Sequence, residues 1–120
     1  MKKIFSIILI SAVLLTACAN PSTKEGAQKI AEKWVKQNAS TYVFDGYDLK
    51  HTKTFPLSCD NCWKYEFLFK SSNSGYGDRT GQVLAQVITD HRIQVLVENG
   101  EITDANVDNA YDEINKVLAE

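Results

Sequence analysis

No apolar run in this 120-residue chain reaches the roughly 20 residues that a membrane-spanning helix requires. The longest, Ile4 to Leu15, stops at about 12 and is interrupted by Ser6 and Ser11. Basic residues are scarce too. Thirteen Lys and Arg against 15 Asp and Glu leave a formal charge of -2. They form no stripe, which argues against a nucleic-acid partner. Cysteines number three and histidines two. A c-type haem site places His directly after the second Cys of a C-x-x-C pair, and here Trp63 stands there. A Walker loop ends in Gly-Lys-Ser/Thr, and the glycine-rich stretch near residue 80 does not. No nucleophile is visibly paired with a base, and no metal cluster or cofactor motif stands out. The sequence therefore predicts no catalytic residues, no metal and no cofactor, and does not read as an enzyme.

What is present begins with an address. Lys2 and Lys3 precede the apolar run, and small residues and a cysteine follow it. A basic start with a short apolar core has the form of a secretory signal. Leu15-Thr16-Ala17-Cys18 resembles the lipobox of bacterial lipoproteins. That resemblance implies cleavage before Cys18, acyl chains on Cys18 and attachment to a membrane of the cell envelope. Ala19, which is not Asp, implies passage to the outer membrane, facing the periplasm, in a Gram-negative host. The expected organisation is a signal peptide over 1–17, a tether over 18–23 and one domain over 24–120. Losing Lys2 and Lys3 with the signal moves the charge to -4. Residues 98–120 carry seven acids and one lysine, which reads as a solvated acidic helix face.

The body opens with a helical period. Ala27, Ile30, Ala31, Trp34 and Val35 recur on one face from Lys24 to Asn38, with Ser22 or Thr23 as cap and Trp34 as the expected anchor. Asp45-Gly46 is a turn signal, and a strand is predicted over 48–58. Trp63, Tyr65, Phe67 and Phe69 then alternate with Lys64, Glu66, Leu68 and Lys70, a period of two that puts four aromatics on one face. After the loop of residues 71–81, strands are predicted over 82–89, 92–98 and 101–107, with Asn99-Gly100 as a two-residue hairpin turn. A plain hairpin would set Val95 opposite Asp104, so a bulge near Thr103 or a longer loop is expected. A short helix over 109–118, burying Ala110, Ile114, Val117 and Leu118, is expected to close the chain. The fold class is α+β: an N-terminal helix on a curled antiparallel sheet of about four strands with a short C-terminal helix. That plan is similar to the cystatin-like and PepSY-like architectures, a likeness that carries little functional weight.

Cys59 and Cys62 flank Asp60-Asn61, two residues that tolerate positive φ. Residues facing each other across such a turn stand within disulfide reach, and paired cysteines outside the cytoplasm usually oxidise. A structural disulfide, with Cys62 turned away from the Trp63 face and open to solvent, is the leading reading. A redox-active dithiol, a metal site and free thiols remain open.

Gly75-Tyr76-Gly77-Asp78-Arg79-Thr80-Gly81 is the most site-like loop. Its glycines allow close backbone approach, and Asp78 and Arg79 are candidates to bind a polar partner. The competing reading is a long loop whose Asp and Arg hydrogen-bond its own backbone. His91 lies at a break between strands and has no visible serine or cysteine partner. Asp104-x-Asn106-x-Asp108 starts like a calcium loop but has Asn109 where Gly is needed and Asn115 where Glu is needed.

Thr41-Tyr42-x-Phe44-Asp45-Gly46, Cys59-x-x-Cys62-Trp63, Gly75 to Gln82 and Val87-Ile88-Thr89-x-His91 together resemble a group of small uncharacterised exported proteins of prokaryotes. The resemblance spans most of residues 40–108 and implies export and fold but no mechanism. It directs attention to Tyr76, Asp78, Arg79 and His91. The functional expectation is a lipid-anchored binding or accessory module that contacts another envelope protein or a peptide, inhibitor-like in one version. The alternatives are an envelope redox protein using Cys59 and Cys62, and a small-ligand binder with a cavity between helix and sheet beside Trp34.

Overall fold

The computed structural model describes Asn20 and residues 22–119. The expected signal peptide and Cys18 lie outside these residues. Among the described residues no helix is long and apolar enough to cross a membrane.

Helix α1 spans Lys24–Asn38. Thr23 caps it: its side-chain oxygen accepts the Gly26 N–H at 2.9 Å. The buried face is made of small residues, Ala27, Ala31 and Val35, with Ala39 just beyond the end. Small side chains let the helix sit close on the large rings of Tyr65, Phe67 and Phe69. Trp34 packs against this core from its edge and is not among its fully buried members. It is half-buried at the rim, with the Lys116 ammonium 5.9 Å from its ring centroid. Tyr65 reaches the first turn and donates its hydroxyl proton to the Lys24 carbonyl. Burial and the nearby Glu25 charge push the Tyr65 phenol up to about 12, so this donor keeps its proton at any ordinary pH.

After Ala39 the chain turns and forms a second helix, α2, over Ser40–Asp45. This helix was not expected. Six strands follow: β1 Gly46–Pro56, β2 Cys62–Ser71, β3 Thr89–Glu98, β4 Glu101–Val107, β5 Tyr111–Asp112 and β6 Val117–Leu118. They pair in sequence order as one antiparallel meander. The architecture is thus α+β with a helix on an antiparallel sheet, but the sheet has six strands rather than four. The aromatic alternation of β2 holds through the strand, with Tyr65, Phe67 and Phe69 buried and Trp63 packed at the core's edge. Ile93, Val95 and Val97 of β3 and Ala105 and Val107 of β4 complete the core.

The bulge is where the pattern demanded it. Val97 pairs with Ile102, Leu96 pairs with Asp104, and Thr103 is the extra residue. Val95 therefore faces Ala105 rather than an aspartate. Asn99 and Gly100 both take positive φ, 52° and 82°, as the tight hairpin requires.

Two further expectations fail. Residues 82–88 are not a strand; β3 starts only at Thr89. The C-terminal helix is also absent. Asp108 and Asn109 both adopt φ 56°, and the Asp112 carboxylate accepts the Ile114 and Asn115 N–H groups. These local bonds turn the backbone into a small hairpin instead of a helix. Tyr111 and Glu113 point inward, whereas Ile114, Val117 and Leu118 remain exposed.

Candidate functional site

The loop of residues 72–88 leaves the ends of β2 and β3 and folds back over α2. Arg79 is its centre. The side chain is 2% exposed and its guanidinium stacks on Phe44, 4.6 Å from the ring centroid. Nε donates to Gly77 O; one terminal nitrogen donates to Asn73 O and Ser74 O; the other donates to Thr41 O and to Asp45 Oδ1 at 2.9 Å. A guanidinium has five N–H groups, and five acceptors take them. None is left for a ligand. Arg79 therefore holds its own loop, in line with the competing reading, and its guanidinium is not offered to a polar partner. Asp45 also accepts from Asn73 N and Nδ2, which fastens the start of the loop to the end of α2. Gly77 cannot carry a side chain: φ is +75°, and a Cβ would lie 2.6 Å from Tyr111 Oη.

His91, Tyr76 and Asp108 converge beside this cluster. His91 Nδ1 lies 2.7 Å from Asp108 Oδ2, and Nε2 lies 3.0 Å from Ser71 Oγ. Tyr76 donates its hydroxyl to the same Asp108 oxygen, and Arg92 N donates to the other at 2.7 Å. Burial alone would raise the Asp108 carboxyl. The bonds from His91, Arg92 N and Tyr76 outweigh it and hold the group below the ordinary carboxylate range. Burial and the Asp108 charge push the Tyr76 phenol up. Tyr76 also stacks in parallel on Tyr111, centroids 5.8 Å apart.

The order Ser71–His91–Asp108 is that of an acyl-transfer relay. It corrects the expectation that His91 lacks a serine partner. Ser71 is 0% exposed, however, so no substrate carbonyl reaches Oγ while the loop is in place. The hydroxyl also lies 2.8 Å from Asn73 O. Its single proton serves either that carbonyl or His91 Nε2.

Of the four loop candidates, Tyr76, Arg79 and His91 meet in this polar core. Asp78 does not join them. It is exposed and accepts from Thr80 N and Oγ1 within its own turn. Asp108, counted with the calcium-like run, belongs to His91. Asp104 accepts from the neighbouring Ala105 N, so these two acids have different partners.

At the opposite strand ends Cys59 and Cys62 are joined as a disulfide, with Cα atoms 5.4 Å apart. The turn is longer than the expected two residues: β1 ends at Pro56 and β2 begins at Cys62. Leu57 N donates to Cys62 O and closes it. Cys59 is exposed but Cys62 is 2% exposed, so the expected exposure holds at Cys59 and not at Cys62. Glu98, directly opposite Cys62 on β3, brings a carboxylate oxygen within 4.8 Å of both sulfurs. Sequence reading missed Glu98 because nothing in the chain order ties it to the pair.

Two shallow cavities of about 320 and 400 Å³ lie along β3, sharing Leu68, Asp90, His91 and Arg92. Neither touches Trp34, the site a ligand between helix and sheet was expected to use. In the segment 82–88, Val83, Val87 and Ile88 stand in solvent. In comparisons with protein families, with curated proteins and with solved structures, nothing matched the chain.

Proposed function

We propose that this chain is a lipid-anchored module of the cell envelope that binds another envelope protein or a peptide through the segment 82–88. One observation carries the reading. Residues with strand-forming character, Gln82-Val83-Leu84-Ala85-Gln86-Val87-Ile88, are left unpaired, and three of their apolar side chains are exposed. The segment is held to the rest of the loop by few bonds, chiefly Ser74 N to Ala85 O at 3.1 Å. An exposed apolar segment that belongs to no ladder is suited to adding a strand to a partner or receiving one.

The lipobox resemblance at Cys18 supports the anchor, and the geometry suits it. Helix α1 starts over Tyr65, on the disulfide half of the sheet, while the loop leaves from the other strand ends. A tether from Cys18 would then hold the loop away from the membrane. An inhibitor that enters a peptidase cleft is the narrower form of the same reading. The exposed position of Cys59 supports a second reading, an envelope redox protein, which requires a reduction potential above about -300 mV.

The test is photo-crosslinking in the native envelope from positions 83 and 87, with position 33 on the outer face of α1 as control. One discrete adduct from the loop positions alone supports the reading; none, or equal adducts from position 33, sinks it. Separately, acyl mass on Cys18 and release of Cys18→Ser from membranes test the anchor.

A further inference from the structure

The geometry points to a redox-gated cation site at the disulfide tip: when Cys59 and Cys62 are reduced, they and Glu98 bind a thiophilic divalent cation of the Zn²⁺ class. The donor set is two thiolates and a carboxylate, with the fourth tetrahedral position left to water or an incoming ligand.

Three features of the tip support this. The C-x-x-C spacing on a turn is one that zinc uses, and Cα atoms 5.4 Å apart allow sulfurs to open to the about 3.8 Å separation of a tetrahedral dithiolate. The third donor is already present. Glu98 is the register partner of Cys62, and its carboxylate lies within 4.8 Å of both sulfurs. Thr103 Oγ1 donates to Glu98 Oε2 at 3.1 Å, orienting the acid as second-sphere partners of metal ligands do. Finally, the frame around the pair is fixed. Asn99 N donates to Asn61 O at 3.0 Å, clamping the turn to the β3–β4 hairpin. In the same turn Asn61 Oδ1, and beside it Trp63 Nε1, are buried without a hydrogen-bond partner. The oxidised tip thus leaves polar capacity unused.

The cycle balances. A protein dithiol transfers two electrons and two protons to the disulfide, giving two thiols and becoming a disulfide itself. The cation then displaces the two thiol protons. A protein disulfide then takes two electrons from the two thiolates and two protons from water, becoming a dithiol; the Cys59–Cys62 bond re-forms and the cation leaves. Neither histidine takes part, since His91 is bound at both nitrogens and His51 Nε2 is engaged with Thr54 Oγ1.

The experiment uses the full chain in mild detergent, oxidised or reduced, titrated with Co²⁺ and then with Zn²⁺ in competition with a chromophoric chelator. Every sample carries Cys18→Ser, so that Cys59 and Cys62 are the only cysteines present. The expected result is one Zn²⁺ per reduced chain and a cobalt–thiolate charge-transfer band, with affinity at least about 100-fold weaker in the oxidised chain and in C59S/C62S. E98Q should weaken binding about tenfold or more while keeping the charge-transfer band. Alkylated reduced protein serves as a second control in case C59S/C62S does not fold. Equal affinity of the reduced Cys18→Ser chain and the alkylated control overturns the site. An E98Q titration matching that chain removes Glu98 from it and overturns the assignment as stated.

Discussion

The carboxylate of Glu113 caps helix α2 from 73 residues away: Oε1 accepts the Ser40 N–H at 2.8 Å and Oε2 accepts the Thr41 N–H at 3.0 Å. Ala39 at the cap position has no side chain to do this. Ser40 Oγ and the Lys116 ammonium complete the set. Glu113→Ala would leave two helix N–H groups buried without acceptors. The expected loss is about 2–3 kcal/mol, read from the urea midpoint, with Glu113→Gln recovering part of it. A loss under about 0.5 kcal/mol would mean that the cap is dispensable.

Acid should undo the same contact. Burial would raise the Glu113 carboxyl, but the bonds from Thr41, Ser40 and Lys116 outweigh it and hold the group below its ordinary 4.5. A lowered folded-state value means that this stabilisation is complete above about pH 4.5 and disappears as pH falls through the folded value. Asp108, also lowered, adds to the trend. Wild type should lose stability on acidification more steeply than Glu113→Gln. Parallel curves for the two would contradict the assignment.

Arg79 joins Thr41, Asp45, Asn73, Ser74 and Gly77. Arg79→Ala breaks a buried ion pair and strands several carbonyls, a change expected to cost about 3 kcal/mol or more. Arg79→Lys cannot reproduce a five-donor fork and should recover little. Hydrogen exchange at Gly77, whose N–H is bound to Thr41 Oγ1 at 2.8 Å, reports the loosening directly. Unchanged protection there would mean that the loop is held by something else.

Cys59→Ser/Cys62→Ser should cost only about 2 kcal/mol, because the closed loop is short. Far-ultraviolet circular dichroism should not change. Unfolding of the double variant at room temperature would assign the disulfide a larger role.

Val83→Asp should change stability by less than about 0.5 kcal/mol, since the side chain is fully exposed. The same variant should lose the crosslinked adduct proposed for the loop. Retention of the adduct would move the contact elsewhere.

Helix α1, the aromatic strand, the Asn99-Gly100 turn and the Thr103 bulge were legible because each is set by periodicity or by local backbone chemistry. The errors have a common cause. Val83, Leu84, Val87 and Ile88 carry strand propensity, but Arg79 pins the preceding chain over α2, away from any ladder. Ile114, Val117 and Leu118 match a helical face, yet the Asp112 side chain and positive φ at Lys116 close a hairpin first. Of the site, Tyr76, Arg79 and His91 could be named from the loop, but their partners could not. Ser71 meets His91 only through the β2–β3 register, which pairs Phe69 with His91. Following the inward alternation past Phe69 to Ser71, and starting β3 at Thr89, would have revealed it.

Arg79 also divides its loop into two parts with different histories ahead of them. Residues 73–79 supply three of the guanidinium's acceptors, at Asn73, Ser74 and Gly77, so an added or missing amino acid there would displace an acceptor and break the set. Residues 81–88 carry no such obligation. Length variants of this chain, whether arising by descent or by design, should accumulate in that second stretch, where a changed outline alters what is recognised without touching what keeps the protein folded.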